Sequence, residues 1–177
     1  MVRQAAILAA IVAFVALAAG SSSAEPQASC LAARVNYTSY GGSGSGLDHL
    51  PWVGGTPGRY RLRGLLWYWP ESWRKQQVQR ARIYVGGKAP QGWTTKILWA
   101  FLGKPAKRQA AGHLVVRGRR LDGPGSFTQR FTAIGYDGQD GAPSYASIID
   151  VPKPGCWRLQ LTTGRVRASV VFRAVRG

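Results

Sequence analysis

Nucleophilic, acid–base and metal chemistry rest on Cys, His, Asp and Glu, and this 177-residue chain holds few of them: two His, two Cys and seven acids, beside 24 Lys and Arg. His49 and His113 are 64 positions apart. Only His49 has an acid next to it, Asp48, and an acid that orients an imidazole usually approaches from elsewhere in the fold. No serine lies in a G-x-S-x-G elbow. A paired-carboxylate glycosidase needs two acids about 5 to 9.5 Å apart across a cleft. The candidates Glu71, Asp122, Asp137, Asp140 and Asp150 sit mostly in turn contexts, where Asp bonds its own backbone. Asp137-Gly138-Gln139-Asp140-Gly141 hints at a calcium loop but lacks the acidic run and the closing bidentate Glu. A copper site would want Met and His near Cys156, and Met occurs only at position 1. The expectation is a non-enzymatic protein with no metal and no cofactor; a secreted hydrolase with a loop-built site is the alternative.

Charge is the stronger signal. The formal net charge is +17, and bases recur at strand-like spacing: Arg59, Arg61 and Arg63; Arg80 and Arg82; Arg117, Arg119 and Arg120. Residues two apart in a strand share a face, so these eight arginines are the candidate contacts for an anionic polymer or lipid surface. Trp67, Trp69, Trp73 and Trp93 could add stacking on sugars or bases. Trp73 is the candidate exposed aromatic, whereas Trp99, Trp157, Phe131 and Phe172 are expected in the core. The competing reading is an undirected surface, its arginines serving only to wet the strands.

Compartment comes from the first thirty residues. An apolar run over residues 5–19 follows Arg3 and precedes Ser22-Ser23-Ala24. Fifteen residues fall short of the roughly 20 needed to span a bilayer, and the pattern is that of a secretory signal cut after Ala24; an uncleaved anchor is the alternative. Ten residues separate Cys30 from the apolar run, and it follows Gln27-Ala28-Ser29, which argues against lipidation. In an oxidising compartment, pairing of Cys30 with Cys156 is natural, against two separate buried thiols. Asn36-Tyr37-Thr38 is formally a glycosylation sequon.

The elements that would position these residues are short strands. Period-two alternation recurs over residues 60–69, 80–85, 93–102, 113–121, 127–134, 144–151, 157–162 and 166–175, between Gly, Pro and Asp turns. That is the pattern of antiparallel sheets with one wetted face. A single short helix is expected near residues 71–78, opened by Pro70. Seven or eight strands in about 120 residues fit an all-β, immunoglobulin-like antiparallel sandwich, with a closed barrel as second choice. The domain reading is a signal peptide over 1–24, an N-terminal extension with a Gly/Ser-rich linker over 25–57, and the sandwich over 58–177. Cys156 and Trp157 cannot both point inward along one strand.

Ile148-Ile149-Asp150-Val151-Pro152-Lys153-Pro154-Gly155-Cys156-Trp157-Arg158-Leu159-Gln160-Leu161 resembles the closing segment of small exported bacterial proteins of unassigned function. Those proteins carry a P-x-P-G-C-W strand start. Thr95-Lys96-Ile97-Leu98-Trp99 and the stretch 118–127 are similar to secreted proteins of this type in high-GC Gram-positive bacteria. The resemblance spans roughly residues 86–176, implies an immunoglobulin-like fold and export, and carries no catalytic residues. The function expected is a secreted or cell-envelope-associated module that binds an anionic cell-wall polymer or membrane surface. An accessory domain docking another envelope protein, through Trp52 or Trp73, is the runner-up, and export removes the usual nucleic-acid partners.

Overall fold

The computed structural model describes residues 30–39, 47, 49–58, 61–136 and 143–177. The expected signal segment, the Gly/Ser stretch 41–46, Asp48, Arg59 and the segment 137–141 lie outside the described residues. Eleven strands are described, in two packed sheets. One sheet has six strands in the order β1 (Val35–Asn36), β2 (Trp52–Gly54), β3 (Leu62–Leu66), β5 (Lys96–Phe101), β9 (Pro143–Ile148) and β8 (Gly135–Tyr136). The other runs β4 (Arg82–Tyr84), β11 (Val166–Val175), β10 (Gly155–Thr163), β6 (His113–Arg120) and β7 (Ser126–Thr132). All pairs are antiparallel except β4 with β11, which is parallel.

Alternation decides which residues meet in the middle. Along β10, Trp157, Leu159, Leu161 and Thr163 are buried, while Arg158 and Gln160 are exposed; along β11, Val166, Ala168, Val170, Phe172 and Ala174 are buried. These face Leu62, Leu66, Ile97, Trp99, Phe101 and Tyr145 of the six-stranded sheet in one core. Trp99 meets Phe172 edge to face across the sheets, ring centroids 6.4 Å apart, an arrangement that the ring quadrupole favours. The buried indole of Trp99 donates to Ser147 Oγ at 2.8 Å, so the polar handle is satisfied. The β10–β11 hairpin turns on Gly164-Arg165, with Gly164 at φ 53°. That is the first central position, which a II′ turn reserves for glycine, and a Cβ there would meet the Gln109 carbonyl.

Helix α1 (Glu71–Lys75) matches the expected helix, with Glu71 in its first turn and Arg74 and Lys75 in its last, both complementary to the helix dipole. A second helix, α2 (Lys104–Gln109), was not expected. Its Pro105 reads as a breaker within Lys104-Pro105-Ala106, yet Pro suits the first helical turn.

Described residues ahead of position 58 are built into the sandwich. β1 pairs with β2, and β2 with β3. The outer edge of β11 is taken in succession by three segments: Thr56 bridges Ser169, the Ala33 N–H donates to the Val171 carbonyl, and Arg82 pairs with Arg173. Cys30 is bonded to Cys156, with Cα atoms 5.4 Å apart. Trp157 takes the inward position, its indole donating to the Lys153 carbonyl at 2.9 Å. Cys156 points to the outer face and is nonetheless buried, since the disulfide holds the N-terminal segment against it.

Candidate functional site

The register of the five-stranded sheet determines what its outer face displays. On β6 the outward residues are His113, Val115, Arg117 and Arg119; Leu114, Val116 and Gly118 are buried. Arg119 stands directly opposite Arg158, Arg117 opposite Gln160 and Val115 opposite Thr162. On β11, Thr162 faces Arg167, Gln160 faces Ser169 and Cys156 faces Arg173. On β7, Arg130 faces Val115 and Thr128 faces Arg117. Strands lie about 4.8 Å apart, and same-face residues about 6.7 Å apart along each strand. Arg117, Arg119, Arg130, Arg158, Arg167 and Arg173 therefore form one exposed field, with Arg82 half-buried at its β4 rim. Serines, threonines, a glutamine and the half-buried Val115 and Val171 fill the gaps, and the strands carry no acid on this face.

Of the eight arginines expected to bind, Arg117 and Arg119 sit at the centre of this field and Arg82 at its edge. Arg80 is turned onto the Ala32 carbonyl at 3.0 Å. Arg61 is not in a strand: its φ is 44°, so the stripe expected through Arg61 and Arg63 is broken where β3 begins. Arg63 lies on the outer face of the opposite sheet, 3.8 Å over the Trp52 ring; burial and the charge of Arg61 lower its pKa. Arg120 pairs with Asp122, Nε to Oδ1 at 2.8 Å, the one ion pair among the described residues. Burial pushes the Asp122 carboxyl up, but the Cys156 N–H at 2.9 Å and the Arg120 guanidinium outweigh it, and its pKa falls below the ordinary value. Arg130, Arg158, Arg167 and Arg173 complete the field. Each lay in a strand read by alternation, but only the pairing of strands far apart in the chain joins them.

A second feature is aromatic. An open cavity of about 610 Å³ is lined by Trp67, Trp69, Trp73, Tyr84, Trp93 and Glu71, among others. Trp73, expected to be the exposed aromatic, is instead a half-buried wall, stacked on Tyr84 at 5.3 Å and edge-on to Trp69 at 4.8 Å. The exposed rings are Trp93, at 61%, and Trp67, at 39%. Tyr68 donates to the Arg82 carbonyl and Trp69 to the Tyr37 hydroxyl. Burial raises the pKa of both Tyr68 and Tyr84, so both phenols are neutral at physiological pH.

His49 is exposed and lines a shallow depression with Tyr37, Arg74 and Gln77; Arg74 donates to its carbonyl. His113 is exposed at the start of β6. Neither imidazole is paired with an acid or nucleophile among the described residues. Those residues contain no group of three or more metal-ligating side chains and no helix long and apolar enough to cross a membrane. Comparison with known proteins returns no matching family, no matching curated protein and no matching solved structure.

Proposed function

We propose that the protein is a non-enzymatic binding module of the cell exterior, holding an anionic envelope polymer or membrane surface on the outer face of its five-stranded sheet. One observation carries the reading: six exposed arginines share that face with no acidic residue, and Arg119 and Arg158 stand directly opposite each other. Like charges placed opposite across strands destabilise a sheet. A sheet tolerates that cost most readily where a ligand offsets it. An undirected basic surface would intersperse acids or spread its arginines over both sheets. The disulfide supports an extracytoplasmic setting, because such bonds persist in oxidising compartments.

The fold within this reading is immunoglobulin-like. With β1, β2 and β4 set aside, the order β3-β5-β9-β8 follows the A-B-E-D sheet, and β11-β10-β6-β7 follows G-F-C with an added C′ strand. The crosslink departs from the immunoglobulin pattern: it ties a preceding segment to β10 instead of joining the two sheets.

The test is co-sedimentation with anionic wall polymers and anionic liposomes. Binding should fall steeply between about 50 mM and 500 mM salt, since exposed charge contacts are screened. Replacing Arg117, Arg119 and Arg158 together by Gln should weaken it about a hundredfold, at about 1 kcal/mol per arginine. The control R61Q/R63Q/R80Q should bind like the parent. Salt-insensitive binding, or equal losses in the two triple variants, would refute the proposal.

A further inference from the structure

The aromatic cavity is separate from the arginine field in residues and in chemistry. In a chain with 24 bases, no Lys or Arg is among its described lining residues, and Glu71 supplies the only charge. Lys96 lies 4.4 Å over the Trp67 ring and Arg82 lies 5.2 Å over the Trp73 ring, yet neither lines the space. An anion would therefore find aromatic faces and a carboxylate, both repulsive to it.

We propose that this cavity is a binding site for a neutral oligosaccharide. Its volume lies within the roughly 300–1,000 Å³ of small-molecule sites. A pyranose offers polarised C–H groups on one face, which suit the negative face of an aromatic ring, and hydroxyl donors around its edge. The exposed rings of Trp93 and Trp67 provide the flat surfaces. The exposed Glu71 carboxylate and Ser72 hydroxyl, at the start of α1, provide acceptors beside them. The wall is already set: Trp69, Trp73, Tyr84 and Tyr68 are interlocked by ring contacts, and Tyr68 and Trp69 have spent their donors internally. A preorganised wall loses little entropy on binding.

Two other occupants suit aromatic clefts, and both fit less well. A proline-rich segment presents carbonyl acceptors with few N–H donors, which would leave Glu71 facing acceptors. A quaternary ammonium suits rings and a carboxylate, but it must approach a protein of net charge +17.

The experiment is tryptophan fluorescence and calorimetry on the whole protein. Its probes are unbranched oligomers of glucose and of N-acetylglucosamine, a polyproline peptide, and tetramethylammonium. One of the sugar series should bind with a blue shift, equally at low and high salt. Trp93→Ala and Trp67→Ala should each weaken it by roughly tenfold and Glu71→Gln by a few-fold; the melting temperature should stay unchanged in Trp93→Ala, whose side chain is 61% exposed, and fall in Trp67→Ala, whose ring is mostly covered and holds Lys96. The R117Q/R119Q/R158Q variant should keep the sugar, which separates this site from the polyanion face. Failure of both sugar series, tighter binding of polyproline or tetramethylammonium, or an unaltered affinity in Trp93→Ala would each overturn the assignment.

Discussion

The two outer faces of the sandwich meet water in opposite ways. On the six-stranded sheet, Leu65 and Leu98 face outward yet are buried, because their cross-strand neighbours Trp52 and Ala146 flank them and Leu47 and Leu50 pack against them. Even the charge there is folded in, with the Arg63 guanidinium resting on Trp52. On the five-stranded sheet the outer face is mostly bare arginines, hydroxyl side chains and Gln160, with Val115 and Val171 half-buried among them. An apolar face has to be covered, at the entropic cost of ordering a loop. A charged face can stay open, at the cost of self-repulsion. The five-stranded sheet takes the second solution, with six exposed arginines on its outer face.

Removing the disulfide gives the largest contrast. Cys30→Ser with Cys156→Ser should cost up to about 5 kcal/mol, the loop-closure value for a separation of 126 residues, measured as a lowered denaturation midpoint. Next, Leu98→Ala on the covered face should cost about 2–5 kcal/mol and leave salt-dependent polyanion binding of the folded protein intact. On the bare face the sign should reverse: Arg119→Gln should stabilise by about 0.2–1 kcal/mol through relief of the Arg158 repulsion, read as a small rise in melting temperature, while polyanion binding weakens. If both faces lost stability alike, the contrast would fail.

Acid sharpens the comparison at its smallest scale. The folded pKa of Asp122 lies below its unfolded value. Its stabilising contribution is therefore complete above about pH 4 and is lost as pH falls through the lower folded value. Protonation also frees Arg120 from its partner, adding a positive charge beside Arg173 in the depression that both line. Below about pH 4, stability should fall by an amount that Asp122→Ala, itself costing under about 1 kcal/mol because solvent screens the exposed carboxylate, no longer shows. Denaturant titrations at several pH values on the two proteins test this.

Much of the strand pattern was legible because alternation is a local property. Residues 157–162 and 166–175 read as one-sided strands, and the structure buries the alternate residues. Pairing is not local. Arg119 and Arg158 are 39 positions apart, and nothing in either strand announces that they will stand opposite each other; hence four of the six arginines of the field, Arg130, Arg158, Arg167 and Arg173, are not among the expected contacts. Trp67 and Trp69 read as strand residues, but β3 stops at Leu66, and the chain beyond it turns to form the cleft wall. α2 escaped notice because its only buried described side chain is Ala106, too little for a helical period to register. The extension over 25–57 reads as separate from the sandwich because strands of two and three residues, β1 and β2, are too short to show a period.

The borrowed edge of β11 has a consequence for the order of events at synthesis. Thr56, Ala33 and Arg82 all complete their backbone bonding on the last described strand to be made. Those early segments therefore wait, their donors and acceptors solvated, until β11 has emerged. Contacts this distant in sequence form slowly. The early segments can pair among themselves through β1, β2 and β3, but this edge of the sandwich is closed only by the final described strand, so a chain cut short before Val166 would leave the β11-facing backbone groups of Thr56, Ala33 and Arg82 without partners.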